Sequence, residues 1–471
     1  MESAFPTAAR LGLHVLLYSS LLLNALFLAH HFLSAPPAPS PLLSEADNGG
    51  GGGALSWALR AARDAESVAA AGCSGHGRVF LDGIVGQDGR PGCECNTCFE
   101  GPDCSVRTPD CTVDADSGDP MFLEPYWMQH AEASAVVVSG WHRMSYRTTD
   151  GLFQSVELER CIRRLHAAVG NAVADDKQIV FATGSMQLIN ALVYALSPDS
   201  NSGSTASVVA TTPYYPAYRT QIVLFDSREY RWAGNTSMWA KASGNSTTKE
   251  DVIEFVTSPN NPDAVLHQPV VGGSSAILDH AYFWPHFTHI PAPSNEDVML
   301  FTTSKLSGHA SSRFGWALIR DEKVAKRVNN YILQNTMGTS RDTQLRMLSV
   351  FKAILANLHG KEDIFAFGHD VMTAKWRKLG AVVSRSRRIS LQNIPPRAAY
   401  AWVKCEREED SDCSDVLLKA KIITRSGVWN DASSRYTRIS LIKSQDDFDL
   451  LLERITEFVD AELTAAGSNS M

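Results

Sequence analysis

Long basic runs are missing from this chain, and its 43 Lys and Arg are outnumbered by 51 Asp and Glu, a formal net charge of -8. That balance gives no footing for a nucleic-acid partner. Metal-ligand patterns are missing too. His280, His286, His289 and His309 are scattered, with no His-x-x-x-His pair beside an acid, so no metal site is expected and a metal-dependent hydrolase is disfavoured. What is present is an ordinary globular composition: 44% hydrophobic and 20% charged residues exclude wholesale disorder. A chain of 471 residues has room for one large unit and a small accessory module.

The N-terminus departs from that composition. Leu11 to Leu33 is nearly unbroken apolar sequence, long enough to cross a bilayer, which takes roughly 20 residues. Arg10 is the only cation before it and no clean small-x-small cleavage site follows. Residues 1–34 therefore read as an uncleaved signal anchor, with a cleaved signal peptide as the alternative. Residues 35–71 read as a flexible linker, because Ala35-Pro36-Pro37-Ala38-Pro39 and the run Gly49 to Gly53 cannot bury a core. Within it, the Ala-rich stretch Ala54 to Ala71 can form a short helix.

Six of the nine cysteines, Cys73, Cys93, Cys95, Cys98, Cys104 and Cys111, crowd into residues 72–118 among Gly, Asp and Pro. So poor a core needs staples, and behind a targeting segment those are disulfides whose pairing the spacing does not give. Zinc, through Cys93, Cys95, Cys98 and His76, is the lesser reading because no second ligand pair is present. Cys405 and Cys413 bracket an acidic loop, Glu406 to Asp412, that another bond could close. Cys161 falls on an expected helix and reads as a core thiol. The glycosylation sequons at Asn235 and Asn245 lie in polar, loop-like sequence and agree with an exported chain.

From about Asp119 the pattern changes to short β-branched runs alternating with longer amphipathic segments. Strands are expected at Gln178–Ala182, Ser207–Thr211, Val252–Thr257, Ser275–Leu278, Val298–Thr302 and Phe314–Ile319, with helices at Met186–Leu196 and Asp321–Leu333. This is an α/β pattern with a largely parallel sheet, whose ligands collect beyond the carboxyl ends of the strands.

Four clusters fall at such ends. In Thr183-Gly184-Ser185-Met186 a glycine turn opens a helix whose free N–H groups, with Ser185, can hold a phosphate. Ser258-Pro259-Asn260-Asn261-Pro262 reads as a turn. In Asp279-His280-Ala281-Tyr282 an aspartate ends an apolar strand, where its charge needs a cation such as a protonated heterocyclic nitrogen. In Thr302-Thr303-Ser304-Lys305 a lysine is placed to form a Schiff base with a carbonyl cofactor, and Arg313 to bind its phosphate.

Taken together, these clusters resemble fold-type I pyridoxal-phosphate enzymes. The match narrows at Thr257-Ser258-Pro259-Asn260-Asn261-Pro262 and across Ser304-Lys305-Leu306-Ser307-Gly308-His309 to Arg313-Phe314-Gly315-Trp316. With His142-Arg143-Met144-Ser145-Tyr146 and Arg435-Tyr436-Thr437-Arg438-Ile439-Ser440, these stretches resemble the plant alliinase and tryptophan-aminotransferase-related family. The cysteine-rich segment resembles the EGF-like module of alliinases, although its spacing departs from an ordinary EGF pattern.

The resemblance implies pyridoxal 5'-phosphate as cofactor, carried by Lys305, with Asp279 holding its ring nitrogen protonated. Asn261 and Tyr282 would contact its phenolic oxygen. Tyr215 would stack on the ring. Gly184, Ser185, Met186, Thr302, Ser304 and Arg313 would surround the phosphate, and Tyr146 would join them from a neighbouring subunit of a homodimer. Arg438, rather than Arg435, would bind the substrate carboxylate. The implied architecture is a large domain over residues 141–337, with a smaller α/β domain built from 119–140 and 338–471. The expected activity is an aminotransferase taking an aromatic L-amino acid, tryptophan to indole-3-pyruvate in auxin formation, with a 2-oxo acid as acceptor. An alliinase-type carbon–sulfur lyase is the alternative, and a non-catalytic extracellular binding protein a further one. The expected setting is the secretory pathway, as a single-pass endoplasmic-reticulum membrane protein with a lumenal body, or vacuolar or secreted after cleavage.

Overall fold

Runs that are apolar at nearly every position dictate the centre of the molecule. Ala206–Ala210, Val298–Thr302 and Gly315–Ile319 are buried at every position, as strands covered on both faces must be. The structure, a computed structural model, describes residues 57–79, 92–138, 140, 142, 144–149, 151, 153–199, 201–240, 251–272, 275–392 and 396–468. The apolar segment Leu11 to Leu33 and the sequon at Asn245 lie outside these. Among the described residues no helix is long and apolar enough to cross a membrane.

Seven strands make the main sheet: β1 (Gln178–Ala182), β2 (Ala206–Ala210), β3 (Tyr230–Asn235), β4 (Val252–Thr257), β5 (Ser275–Asp279), β6 (Val298–Thr302) and β7 (Gly315–Ile319). Their order is β1-β7-β6-β5-β4-β2-β3. Only β7 runs against the rest, pairing antiparallel with both β6 and β1. Its reversal brings its N-terminal Gly315 beside Thr302 and Ala182, so Arg313 reaches the rim formed by the carboxyl ends of the other strands. Alternate residues feed two cores: Phe181, Trp316 and Leu318 face one, Val180, Ala317 and Ile319 the other.

Helices cover the two faces. Helices α2 (Val156–Val169) and α6 (Arg341–Asn357) belong to the first core, while α3 (Gly184–Leu196), α4 (Ala217–Phe225) and α5 (Glu322–Thr336) belong to the second. Buried Trp316 donates its indole N–H to His166 Nε2 at 3.0 Å, and His166 Nδ1 meets Asn171 Oδ1 at 2.8 Å. His166 is thus the neutral Nδ1–H tautomer, and burial pushes its pKa down to about 4.

A second, four-stranded antiparallel sheet is ordered β8 (Ile389–Leu391), β9 (Tyr400–Cys405), β11 (Tyr436–Ser440) and β10 (Arg425–Ser426). Helices α7 (Ile364–Val383) and α8 (Gln445–Ser468) pack against each other beside it. Cys405 and Cys413 are bonded, closing the acidic loop between them.

In the cysteine-rich segment the pairs are Cys73–Cys93, Cys95–Cys104 and Cys98–Cys111. The sulfurs that a zinc reading needs, those of Cys93, Cys95 and Cys98, are therefore each taken up in a disulfide with another cysteine, and His76 contacts Asp446 at 3.0 Å instead. Asn96 donates to Asp446 at 2.8 Å and Arg107 to Glu453 at 2.9 Å, so the segment is pinned to α8. The stretch read as linker is not structureless throughout: Trp57–Ala70 is a helix, α1, packed on the short helix Glu124–Gln129. Cys161 is free and buried on α2, with burial raising its thiol pKa.

Candidate active site

A pocket of about 250 Å³ opens at the rim of the main sheet, under the second sheet. It gathers Ser185, Met186, Tyr215, Asn261, Asp279, Tyr282, Thr302, Ser304, Lys305, Arg313 and Arg438 from distant parts of the chain. Gly184 stands just behind it. Its φ of +75° suits glycine, and a Cβ there would lie 2.5 Å from an Arg313 guanidinium nitrogen.

Asp279 ends β5 and is 4% exposed. One carboxylate oxygen accepts from the Tyr218 hydroxyl at 2.7 Å and the other from the Ala281 N–H at 3.0 Å. The Tyr218 proton is committed to Asp279, so the Thr257 hydroxyl, 2.6 Å away, donates to Tyr218. Among the described residues Asp279 has no cationic partner. Burial outweighs its two hydrogen bonds and raises its pKa. A protonated ring nitrogen in this pocket would supply the missing charge.

Lys305 sits on the single helical turn that follows β6. Its Nζ donates to the Gly118 carbonyl and lies 5.8 Å from the Tyr282 ring centroid. Burial lowers the amine's pKa, with Tyr400 opposing and Arg438 adding to the effect. A shift in that direction favours the free base, the form that attacks a carbonyl. Opposite it, the N-terminus of α3, Ser185 and Arg313 form a cradle for an anion. A phosphate-bearing aldehyde with a basic ring nitrogen therefore meets a suitable group at each end.

Arg438 is 2% exposed and donates to Asn261 Oδ1 at 2.9 Å and to the Asp116 carbonyl at 2.6 Å. Its Nε is buried without a partner among the described residues. Arg435 has no such freedom: it is spent on the carbonyls of Cys405 and Arg407. The geometry thus separates two arginines that the sequence leaves side by side.

Two expected sites stand apart from this pocket. Tyr146, expected at the pocket of a neighbouring subunit, is 71% exposed and does not line the pocket of its own chain. Asn235 ends β3, and its amide nitrogen, the atom a glycan would occupy, donates to Thr212 at 2.6 Å.

Several lining groups escaped the sequence reading: Gly118, Thr257, Tyr400 and Arg425, with Tyr218 and Asp116 behind them. Tyr218 follows Tyr215 by one helical step, which is a usable signal. Tyr400 and Arg425 lie on the second sheet, and no local pattern marks them.

Comparison with known proteins fits this geometry. Residues 113–459 match the allinase family model and residues 56–111 the alliinase EGF-like domain. Tryptophan aminotransferase-related protein 4 of Arabidopsis thaliana is 43% identical, covering 97% of this chain and 98% of the relative. An alliin lyase of Allium cepa var. aggregatum is 47% identical, covering 87% and 95%. Among solved structures, a methionine aminotransferase of Escherichia coli superposes with a TM-score of 0.54 at 14% identity, covering 74% of this chain and 94% of its own. It establishes the fold alone. The chain belongs to the alliinase family of pyridoxal-phosphate-dependent enzymes with the aminotransferase fold, and carries that family's EGF-like domain.

Proposed function

We propose that this enzyme transaminates an aromatic L-amino acid, tryptophan to indole-3-pyruvate, with a 2-oxo acid as amino acceptor. The observation that carries the chemistry is the buried, cation-less Asp279 facing Lys305 across one pocket. Bound pyridoxal phosphate supplies an electron sink for the electrons left when the substrate Cα loses its proton. Asp279 holds the proton on the ring nitrogen, and Tyr218 with Thr257 holds Asp279. Asn261 and Tyr282 address the ring oxygen, and Tyr215 lies against the ring. Ser185, Met186, Thr302, Ser304 and Arg313 hold the phosphate at the start of α3. Arg438 binds the substrate carboxylate and so aims the Cα–H at Lys305, whose amine takes the proton and returns it. Exposed Tyr146 serves the pocket of a partner subunit in a homodimer.

The amino-transfer reading draws on the Arabidopsis thaliana relative that spans nearly the whole chain. A second reading, carbon–sulfur lyase action on S-alkyl cysteine sulfoxides, draws on the 47% identity to alliin lyase. Both use the same residues up to loss of the Cα proton. The disulfides fit an oxidising, secretory setting, and the apolar segment Leu11 to Leu33 would anchor the chain in the membrane. Incubation with L-tryptophan and pyruvate should give indole-3-pyruvate and alanine, and Lys305→Ala should lower turnover by roughly three to four orders of magnitude. Pyruvate and ammonia from the sulfoxide alone would replace this reading with the lyase.

A further inference from the structure

Tyr400 opens β9, and its hydroxyl lies 2.7 Å from that of Tyr282, both side chains being buried. Each phenol has one proton, so in this bond one donates and the other accepts. The surroundings decide which. The Arg438 guanidinium lies 4.0 Å from the Tyr400 ring centroid. A Cβ built on Gly118 would lie 2.8 Å from the Tyr400 hydroxyl and 3.3 Å from Lys305 Nζ. A guanidinium and an amine with N–H groups to donate therefore flank Tyr400, which makes its oxygen the better acceptor. Burial alone would push the Tyr400 phenol up, but Lys305 and Arg438 outweigh it and hold it below its ordinary value. Burial first, and then Tyr400, push Tyr282 well up. Tyr282 donates and Tyr400 accepts.

We infer that Tyr400 is a positioning residue with two working parts: its ring seats Arg438, and its hydroxyl competes with the cofactor's ring oxygen for the single proton of Tyr282. This rests on the roles given above to Tyr282 and Arg438. Removing the hydroxyl frees the Tyr282 proton for the ring oxygen. That oxygen, better satisfied as an anion, then holds less tightly the proton it shares with the Lys305 nitrogen. Removing the ring as well unseats Arg438.

The test compares holoenzymes of the wild type, Tyr400→Phe, Tyr400→Leu and Tyr282→Phe. The measurements are cofactor content, melting temperature, the pH titration of the cofactor's visible absorbance, and KM for the amino acid. In Tyr400→Phe the titration midpoint should fall by roughly half to one pH unit while KM stays put. In Tyr282→Phe the midpoint should rise. Tyr400→Leu should also raise KM about fivefold. A Tyr400→Phe midpoint that stays or rises overturns the role of the hydroxyl. A KM in Tyr400→Leu equal to that in Tyr400→Phe overturns the role of the ring. Two controls keep the underlying roles separate. Lys305→Ala should abolish the absorbance titration and Arg438→Lys should raise KM, and failure of either refutes those roles whatever Tyr400 does.

Discussion

Two cavities of this protein invite comparison. The larger, about 330 Å³, lies between α1, the disulfide-bonded segment and the residues just after Lys305. The smaller, about 250 Å³, holds Asp279, Lys305 and Arg438. In the larger one the arginine at its wall is paired with carboxylates. Arg78 stands between Glu94 and Glu124 at 2.9 and 2.7 Å, Trp127 donates to the Ser307 carbonyl at 2.7 Å, and His309 meets the Ser307 hydroxyl at 3.0 Å. In the smaller one a buried carboxylate lacks a cation among the described residues, and a buried amine is displaced from its usual pKa. Volume does not locate chemistry here. Unmet electrostatic demand does.

That contrast can be tested by unequal damage. After loss of Lys305 itself, the largest effect belongs to Asp279→Asn, which keeps the shape and removes the charge. Turnover should fall by about two to three orders of magnitude with the fold intact, as measured by steady-state kinetics beside a melting curve. Gly118→Ala should cost about tenfold in kcat, because its Cβ would press on both the Tyr400 hydroxyl and Lys305 Nζ; cofactor content checks that binding survives.

A third test reads stability against pH. His166 and His280 are buried, with pKa values pushed down to about 4 by burial, and that of His286 to about 3. Above pH 6.5 they are neutral whether folded or not. Between there and about 4 the unfolded chain binds protons that the folded one refuses, so stability must fall with pH in that window, by up to about 3 kcal/mol for each such group. The raised carboxyl of Asp279 offsets part of this. Melting temperature should therefore drop steadily from pH 7 to pH 4.5; a flat profile contradicts the buried neutral assignment. The smallest effect is expected in the larger cavity. Trp127→Phe loses one hydrogen bond, worth about 1 kcal/mol of stability, and should leave kcat within about twofold.

The same contrast explains what the sequence could show. Strand positions were legible because β1, β4 and β6 are predominantly apolar runs followed by turn or site residues, as strands covered on both faces tend to be. The cluster Asp279 to Lys305 was legible because its members fall at consecutive strand ends. Strand β3, Tyr230–Asn235, was missed: it lies at the sheet edge, and its polar Arg231 and Asn235 and the glycine Gly234 resemble a loop. Tyr400, Arg425 and Gly118 were missed for another reason. They enter the pocket only because the second sheet folds over the first, a long-range event that no local spacing records.

The central claim is that Lys305, in the smaller cavity, carries the cofactor. The most direct measurement is borohydride reduction of the holoenzyme, followed by peptide mass spectrometry. The account predicts a pyridoxyl group on the peptide containing Lys305, and none after Lys305→Ala. A label on another lysine, or on none in an enzyme that turns over, would contradict it.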